Sequence, residues 1–237
     1  MKTVKFLFVL LFILSTPLQL FGRVTESAEN LLRIIHKVNR HWQENNSPQV
    51  RSFWDNAAYH TGNMEVYELT GNTAYLKYST DWAEYNHWKG AASDNKAEWR
   101  YGYGETPQYV LFGDWQCCFQ TYADLYGIRG DDRRIARARE VLEYQMGTDK
   151  NDYWWWADGL YMVMPVMTKL YRITKNPLYL EKLYEYFSYA DSVMYDPEAG
   201  LYYRDGSFVY PRHSILGGKK DFWARGDGWV LAAFAKE

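Results

Sequence analysis

The chain has 237 residues, 27 Lys+Arg against 29 Asp+Glu, and a formal charge of −2, which excludes a basic nucleic-acid footprint and an acidic disordered tail. With 47% hydrophobic and 24% charged residues, its composition is that of a globular protein able to bury a core. Aromatic residues make up 19% of the chain, more ring surface than a core needs, so some of the rings are expected to meet a ligand.

At the N-terminus, MKTVKFLFVLLFILSTPLQLFG places two lysines before an apolar run from Phe6 to Leu14, which Thr16 and Pro17 end. Charge, length and order predict a secretory signal peptide over 1–22, because a membrane anchor needs close to ~20 apolar residues. Cleavage after Gly22 leaves a mature domain of residues 23–237, exported to a periplasm or beyond, with no membrane contact once the leader is removed. Apolar positions then recur at helical spacing, predicting helices over 26–44, 52–70, 73–89, 115–128, 131–147, 160–174, 177–194 and from 224 onward. The fold class is all-α. The segments 90–113 and 195–222 are rich in Gly, Trp, Tyr and Asp, and loops of that length are usually functional. Cys117 and Cys118 are sequence neighbours that cannot staple distant segments, so two buried free thiols are expected.

A repeat runs through the helices. Tyr67-Glu-Leu-Thr-Gly-Asn72, Tyr126-Gly-Ile-Arg-Gly-Asp131 and Tyr171-Arg-Ile-Thr-Lys-Asn176 each read as a helix end, a tight turn and an N-cap for the next helix. Asp55 precedes Asn72 by 17 residues, Asp114 precedes Asp131 by 17 and Asp158 precedes Asn176 by 18. Each helical hairpin therefore carries a carboxylate at the start of its first helix, on the face opposite the short turns. Closed into a ring, the hairpins would bring these carboxylates to one mouth. Rings accompany them: Trp54, Trp115, the run Trp154-Trp155-Trp156, and Trp223 and Trp229 around Asp227.

Helix capping is the alternative role for each aspartate. Asp158 and Asp114 stand out as catalytic candidates by their company. Tryptophan faces stack on sugar rings and, by excluding water, raise a carboxyl pKa toward values useful for proton transfer. Pro165 means that the helix is kinked there or starts just before it. Gln116 and Gln120, four apart on one helix face, are positioned to orient a sugar hydroxyl or a water. In WARGDGW, Arg225 offers a planar fork for a carboxylate, with a salt bridge to Asp227 as its alternative role. His60 is a weaker candidate for sugar contact, an interior histidine being the competing reading, and His213 looks like a loop residue. No metal spacing, phosphate loop, nucleophile elbow or dinucleotide fingerprint is present, so proton transfer without a cofactor or metal is expected.

DWQCCFQTYADLY at 114–126, WWWADGLYMVMPVMTKLY at 154–171, GLYYRD at 200–205 and FWARGDGW at 222–229 resemble, in order, the unsaturated rhamnogalacturonyl hydrolases of glycoside hydrolase families 105 and 88. The resemblance implies an (α/α)6 barrel and removal of unsaturated galacturonic acid from the non-reducing end of pectin lyase products. In that reaction a carboxylic acid protonates C4 of the C4=C5 double bond, water adds at C5, and the hemiketal collapses with loss of the aglycone, unlike the ordinary two-carboxylate scheme. Carried over by motif, Asp158 would be the general acid and base and Asp114 the second carboxylate. Trp156, Trp223 and Trp229 would border or stack on the sugar, Trp54 and His60 would line the site, and Arg225 would bind substrate polar groups. The substrate would be an acidic unsaturated oligosaccharide, with no nucleic-acid partner. Two positions depart from the family pattern: Asp227, where many members carry Asn, and Arg204, where some carry His. The predicted helices make about four hairpins where six complete the barrel, so a C-terminally truncated toroid is expected. Two competing readings keep the fold: an unsaturated glucuronyl hydrolase acting on glycosaminoglycan fragments, and a carbohydrate-binding or degenerate toroid without catalysis.

Overall fold

The computed structural model describes residues 27–237, so the predicted leader over 1–22 lies outside the described residues. The chain divides into two units, one ending at Ser47 and the other spanning Pro48–Glu237. In the first unit, residues 27–45 form helix α1.

The second unit alternates between two layers of helices. α2 (Trp54–Thr70), α5 (Cys118–Ile128), α7 (Asp158–Thr174) and α9 (Ala224–Lys236) pack side by side as an inner wall, preceded at the α5 position by the single turn α4 (Gly113–Gln116). α3 (Thr73–Tyr85), α6 (Arg133–Met146) and α8 (Leu178–Met194) lie outside them, each antiparallel to the inner helix before it. The architecture is an α/α toroid. Sequence patterns sort the layers. In α7 every residue from Gly159 to Met167 is buried, as expected of a helix apolar on nearly all sides and flanked by neighbours. α6 instead buries one stripe, including Ile135, Ala138, Val141 and Leu142 with the arginines Arg134 and Arg137, and turns its other charges outward. Each fully buried side chain such as Leu160 or Leu142 contributes about 2 kcal/mol.

The three repeated turns have the chemistry that their sequences predict. Asn72 Oδ1 accepts the Ala74 N–H at 3.0 Å, Asp131 Oδ1 accepts that of Arg133 at 3.1 Å, and Asn176 Oδ1 accepts that of Leu178 at 3.1 Å. Two of the helices before them end on a left-handed residue, Gly71 at φ 66° and Lys175 at φ 60°, whose N–H groups bond back to Tyr67 and Tyr171.

Several expectations change. The helix predicted over 73–89 stops at Tyr85, because His87 and Trp88 both take positive φ and turn the chain into the next loop. The helix predicted from 115 is broken at Cys117, and that predicted from 160 begins at Asp158. Pro165 lies inside α7 and cannot donate to the Tyr161 carbonyl four residues back. Gln120 of α5 fills that gap, its Nε2 donating to Tyr161 O at 2.7 Å. The 195–222 segment folds back as a small hairpin, β1 (Tyr195–Asp196) with β2 (Leu201–Tyr202), and Trp156 pairs with Asp205 in an isolated bridge. Both cysteines are free and buried. Among the described residues no helix is long and apolar enough to cross a membrane.

Candidate active site

The inner helices run in the same direction, so their N-termini lie at one end of the wall, each opening with a carboxylate in its first turn: Asp55, Asp114, Asp158 and Asp227. The capping role is not what holds them there. The N-cap positions are Phe53, Phe112, Ala157 and Trp223, and none makes a side-chain cap. Asp227 has a structural task of another kind, its Oδ1 accepting the Tyr202 N–H at 2.8 Å and so pinning the β-hairpin to α9. Asp114 and Asp158 carry no such assignment.

Trp156 is the part that joins them. A Cβ on Gly113, next to Asp114, would meet the Trp156 ring at 2.9 Å, and one on Gly159, next to Asp158, would meet it at 3.1 Å. The indole thus lies against the backbone of both carboxylate-bearing turns, with Phe112 and Trp155 each 4.8 Å away centroid to centroid. A side chain at Gly113 would force the indole to shift, and one at Gly159 would crowd it. With 6% exposure Trp156 is a wall that sets the spacing of the two acids, bordering the site rather than presenting a free face.

Burial governs the electrostatics. Asp158 is pushed up to about 6, chiefly by desolvation, against the opposing charge of Arg225, its own backbone N–H and the charge of Arg204. Asp114 is pushed up to about 8 by desolvation and then by the negative charges of Asp158, Glu105 and Asp55. Positive helix ends favour ionisation, and here the loss of water outweighs them. Among the described residues Asp158 Oδ1 is buried with no hydrogen-bond partner, as is Trp229 Nε1. Two enclosed polar atoms near the helix starts thus keep unused hydrogen-bonding capacity.

The cations are set on rings. Arg225 lies 4.4 Å over Trp223 and, among the described residues, has no carboxylate within ion-pair distance, so the predicted alternative of a bridge to Asp227 does not form. Trp223 accordingly serves as the platform for Arg225. Trp229 packs 4.6 Å from Tyr161 and meets Trp54 edge-on at 6.3 Å, which brings α9, α7 and α2 together at the mouth.

Three expected contributors lie elsewhere. His60 is 2% exposed, stacked 3.9 Å from Trp82 with Tyr78 on its other side, and bonded to Ser79 Oγ at 3.1 Å. Burial pushes its pKa down to about 3, so it is a neutral interior histidine and the expectation of sugar contact is corrected. Gln116 donates to Val110 O and Gln145 Oε1, and Gln120 to Tyr161 O, so both are structural. Arg204, marked in the sequence only as a departure from the family pattern, and Glu105, not a sequence candidate, both bear on the electrostatics of the site. Arg51 bridges Glu105 at 2.5 Å and Asp55 at 3.3 Å, tying the 99–112 loop to the start of α2. Among the described residues no cluster of His, Cys, Asp and Glu is arranged to hold a metal ion.

Two raised carboxylates, unpaired guanidinium and rings at the positive ends of four helices suit proton transfer to an anionic sugar. An unsaturated 3S-rhamnoglycuronyl hydrolase from Formosa agariphila is 27% identical over 192 residues, covering 77% of this chain and 49% of that protein. A solved family 88 glycosyl hydrolase from Bacteroides vulgatus superposes with a TM-score of 0.87 at 69% identity, over 88% of this chain and 60% of that one. A structure titled a polysaccharide lyase superposes with a TM-score of 0.86 at 70% identity, over 89% and 59%. This chain thus spans about half the length of the curated relative and about three fifths of each solved chain. Residues 28–237 match the family described as Glycosyl Hydrolase Family 88, and the chain belongs to it.

Proposed function

We propose that this protein removes an unsaturated uronic acid from the non-reducing end of oligosaccharides by hydrating its C4=C5 double bond. The observation that carries the reading is the pair of Asp114, buried, and Asp158, half-buried, at adjacent helix starts with raised pKa values, with an Arg225 whose charge is felt at Asp158 and which has no counter-ion among the described residues. Protonated Asp158 gives its proton to C4. The carboxylate so formed takes a proton from the water whose oxygen bonds to C5. The hemiketal then opens between C5 and the ring oxygen, and the C1 hemiacetal releases the next sugar. Asp114, neutral at pH 7 by its raised pKa, holds the sugar as a hydrogen-bond donor, and Arg225 takes the uronate carboxylate. Unsaturated galacturonyl oligosaccharides from pectin, met outside the cytoplasm after leader removal, are the substrates favoured by the motif set. The name of the curated relative supports the unsaturated uronyl class.

The test is loss of absorbance of the conjugated double bond on incubation with rhamnogalacturonan-derived and chondroitin-derived unsaturated disaccharides, with release of the second sugar and of the open-chain 4-deoxy-5-keto uronic acid. Asp158→Asn should lower turnover at least ~100-fold, the range of general acid–base catalysis, while leaving the fold intact. Full activity in that variant would remove Asp158 from its role. The likeness to a structure titled a polysaccharide lyase favours a second reading, elimination from an intact chain. That reaction creates the double bond, so absorbance would rise on saturated polysaccharide.

A further inference from the structure

Arg225 stands in the first turn of α9, and the N-cap residue Trp223 makes no side-chain bond to that turn. Trp223 and Arg225 hold one another instead. The guanidinium lies 4.4 Å over the indole, and the indole lies so close over Gly226 that a Cβ there would meet it at 2.8 Å. Asp227 ties this cluster to a neighbouring segment. Its backbone N–H bonds back to Trp223 O at 3.1 Å, and its Oδ1 accepts the Tyr202 N–H at 2.8 Å. From Tyr202 the chain runs to Asp205 alongside the start of α7. The Tyr203 N–H donates to Met194 O at 2.9 Å, the Arg204 carbonyl accepts the Ala157 N–H at 2.9 Å, and Asp205 pairs with Trp156 in the isolated bridge. Tyr202, Tyr203, Asp205 and Ala157 are buried, where an unmade hydrogen bond is costly. Ala157 immediately precedes Asp158. A run of bonds thus leads from the turn that carries Arg225 to the turn that carries Asp158, and the link at Asp227 is the one made by a side chain.

We propose that Asp227 is a positioning residue for the hydration step: through Tyr202–Asp205 it fixes the start of α9, with Arg225, against the start of α7, with Asp158. The proposal rests on the reading of the site as an unsaturated uronyl hydrolase, in which Arg225 holds the uronate carboxylate while Asp158 protonates C4. The carboxylate and C4 belong to one planar conjugated unit. A change in the separation of the two helix starts therefore moves C4 off the proton donor without loosening the grip of Arg225. A misplacement of about 1 Å can cost up to about 100-fold in rate. Asp227 acts on kcat through that spacing and touches no substrate atom.

Asp227→Leu, similar in size and without an acceptor, and Asp227→Asn, which keeps the acceptor without the charge, are compared with the unmutated protein by amide hydrogen exchange and by turnover of an unsaturated disaccharide. Asp227→Leu should speed exchange at Tyr202 and, at the far end of the segment, at Ala157 by at least ~10-fold, and Asp227→Asn should restore most of the protection. Asp227→Leu should also lower kcat and kcat/KM alike, at least ~10-fold, with most of the rate recovered in Asp227→Asn. A merely structural role would lower Tm and leave the kcat of the folded protein unmoved. In an Arg225→Gln background the loss of kcat caused by Asp227→Leu should shrink, because the carboxylate is no longer held from α9. Faster exchange confined to Tyr202, protection not restored by Asp227→Asn, or an unchanged kcat beside faster exchange overturns the proposal. Should Asp227→Leu not fold, exchange of the unmutated protein in sub-denaturing urea decides. The amides of Tyr202, Ala157 and Asp227 should then open with one free energy and one urea dependence, and separate openings overturn the proposal. If the unmutated protein turns over no unsaturated disaccharide, the hydrolase reading fails, while exchange at Ala157 still decides whether Asp227 locks the two helix starts together.

Discussion

Asp158 and Asp114 differ in how far burial lifts them, and that difference makes the acid identifiable. A general acid must be protonated, so activity carried by Asp158 should fall as pH rises through about 6, whereas an acid role for Asp114 would hold the rate up to about 8. Arg225 lowers the Asp158 pKa, so Arg225→Gln should move the alkaline limb of kcat to higher pH while weakening substrate binding. A rate profile unmoved by that change would disconnect the two groups. The same burial bears on stability. A carboxyl whose folded pKa lies above its unfolded value binds more protons when folded, so its contribution is present below about pH 4 and is lost as pH rises toward about 8 for Asp114. Asp114→Asn should therefore raise Tm at pH 8 relative to the parent and flatten the dependence of Tm on pH between 4 and 8. A Tm at pH 8 lower than the parent's would mean that the ionised carboxylate is stabilised by the fold.

At the scale of elements, α5 and α7 are joined through a defect. Pro165 frees the Tyr161 carbonyl, and Gln120 supplies the missing donor from the neighbouring helix. Gln120→Leu leaves that buried carbonyl unpaired and should cost about 1–3 kcal/mol in denaturant unfolding. Pro165→Ala restores an N–H to the helix, so its combination with Gln120→Leu should be less destabilising than the sum of the two single changes. Additive effects would show that the carbonyl finds another partner. The hairpin turns at Asn72, Asp131 and Asn176 were readable from sequence because every group in them lies within a few residues of its partner. The end of α3 was not, because the positive φ of His87 and Trp88 depends on burying Trp88 against Tyr122 and Arg134, well beyond the local window.

Over the whole molecule, a formal charge of −2 offers no long-range attraction to an acidic sugar. For the proposed substrate, attraction would come from the positive helix ends and from Arg225, and at that range it is strong only where salt screens weakly. Raising ionic strength from about 0.05 to about 0.5 M should raise KM for the unsaturated oligosaccharide several-fold with little change in kcat, since the Debye length falls from about 14 to about 4 Å. A KM indifferent to salt would argue that rings, and not charges, hold the substrate.

The sequence by itself determined the helical hairpins, their turns and the aspartate that starts each inner helix, because helix periodicity, turn residues and N-caps are local properties. It also marked Asp114, Asp158 and Arg225, since each stands in a motif with its rings nearby in the chain. Only the tertiary structure decided which polar residues face the mouth. Gln116, Gln120 and His60 look like ligand residues in one dimension and are consumed by packing in three. Arg204, marked in the sequence only as a departure from a family pattern, has its backbone brought next to the start of α7 by the bond its carbonyl accepts from the Ala157 N–H, 47 positions away. The physical reason is the same in both directions: burial and long-range hydrogen bonds set the charge state and availability of a side chain, and neither is a property of its neighbours in sequence.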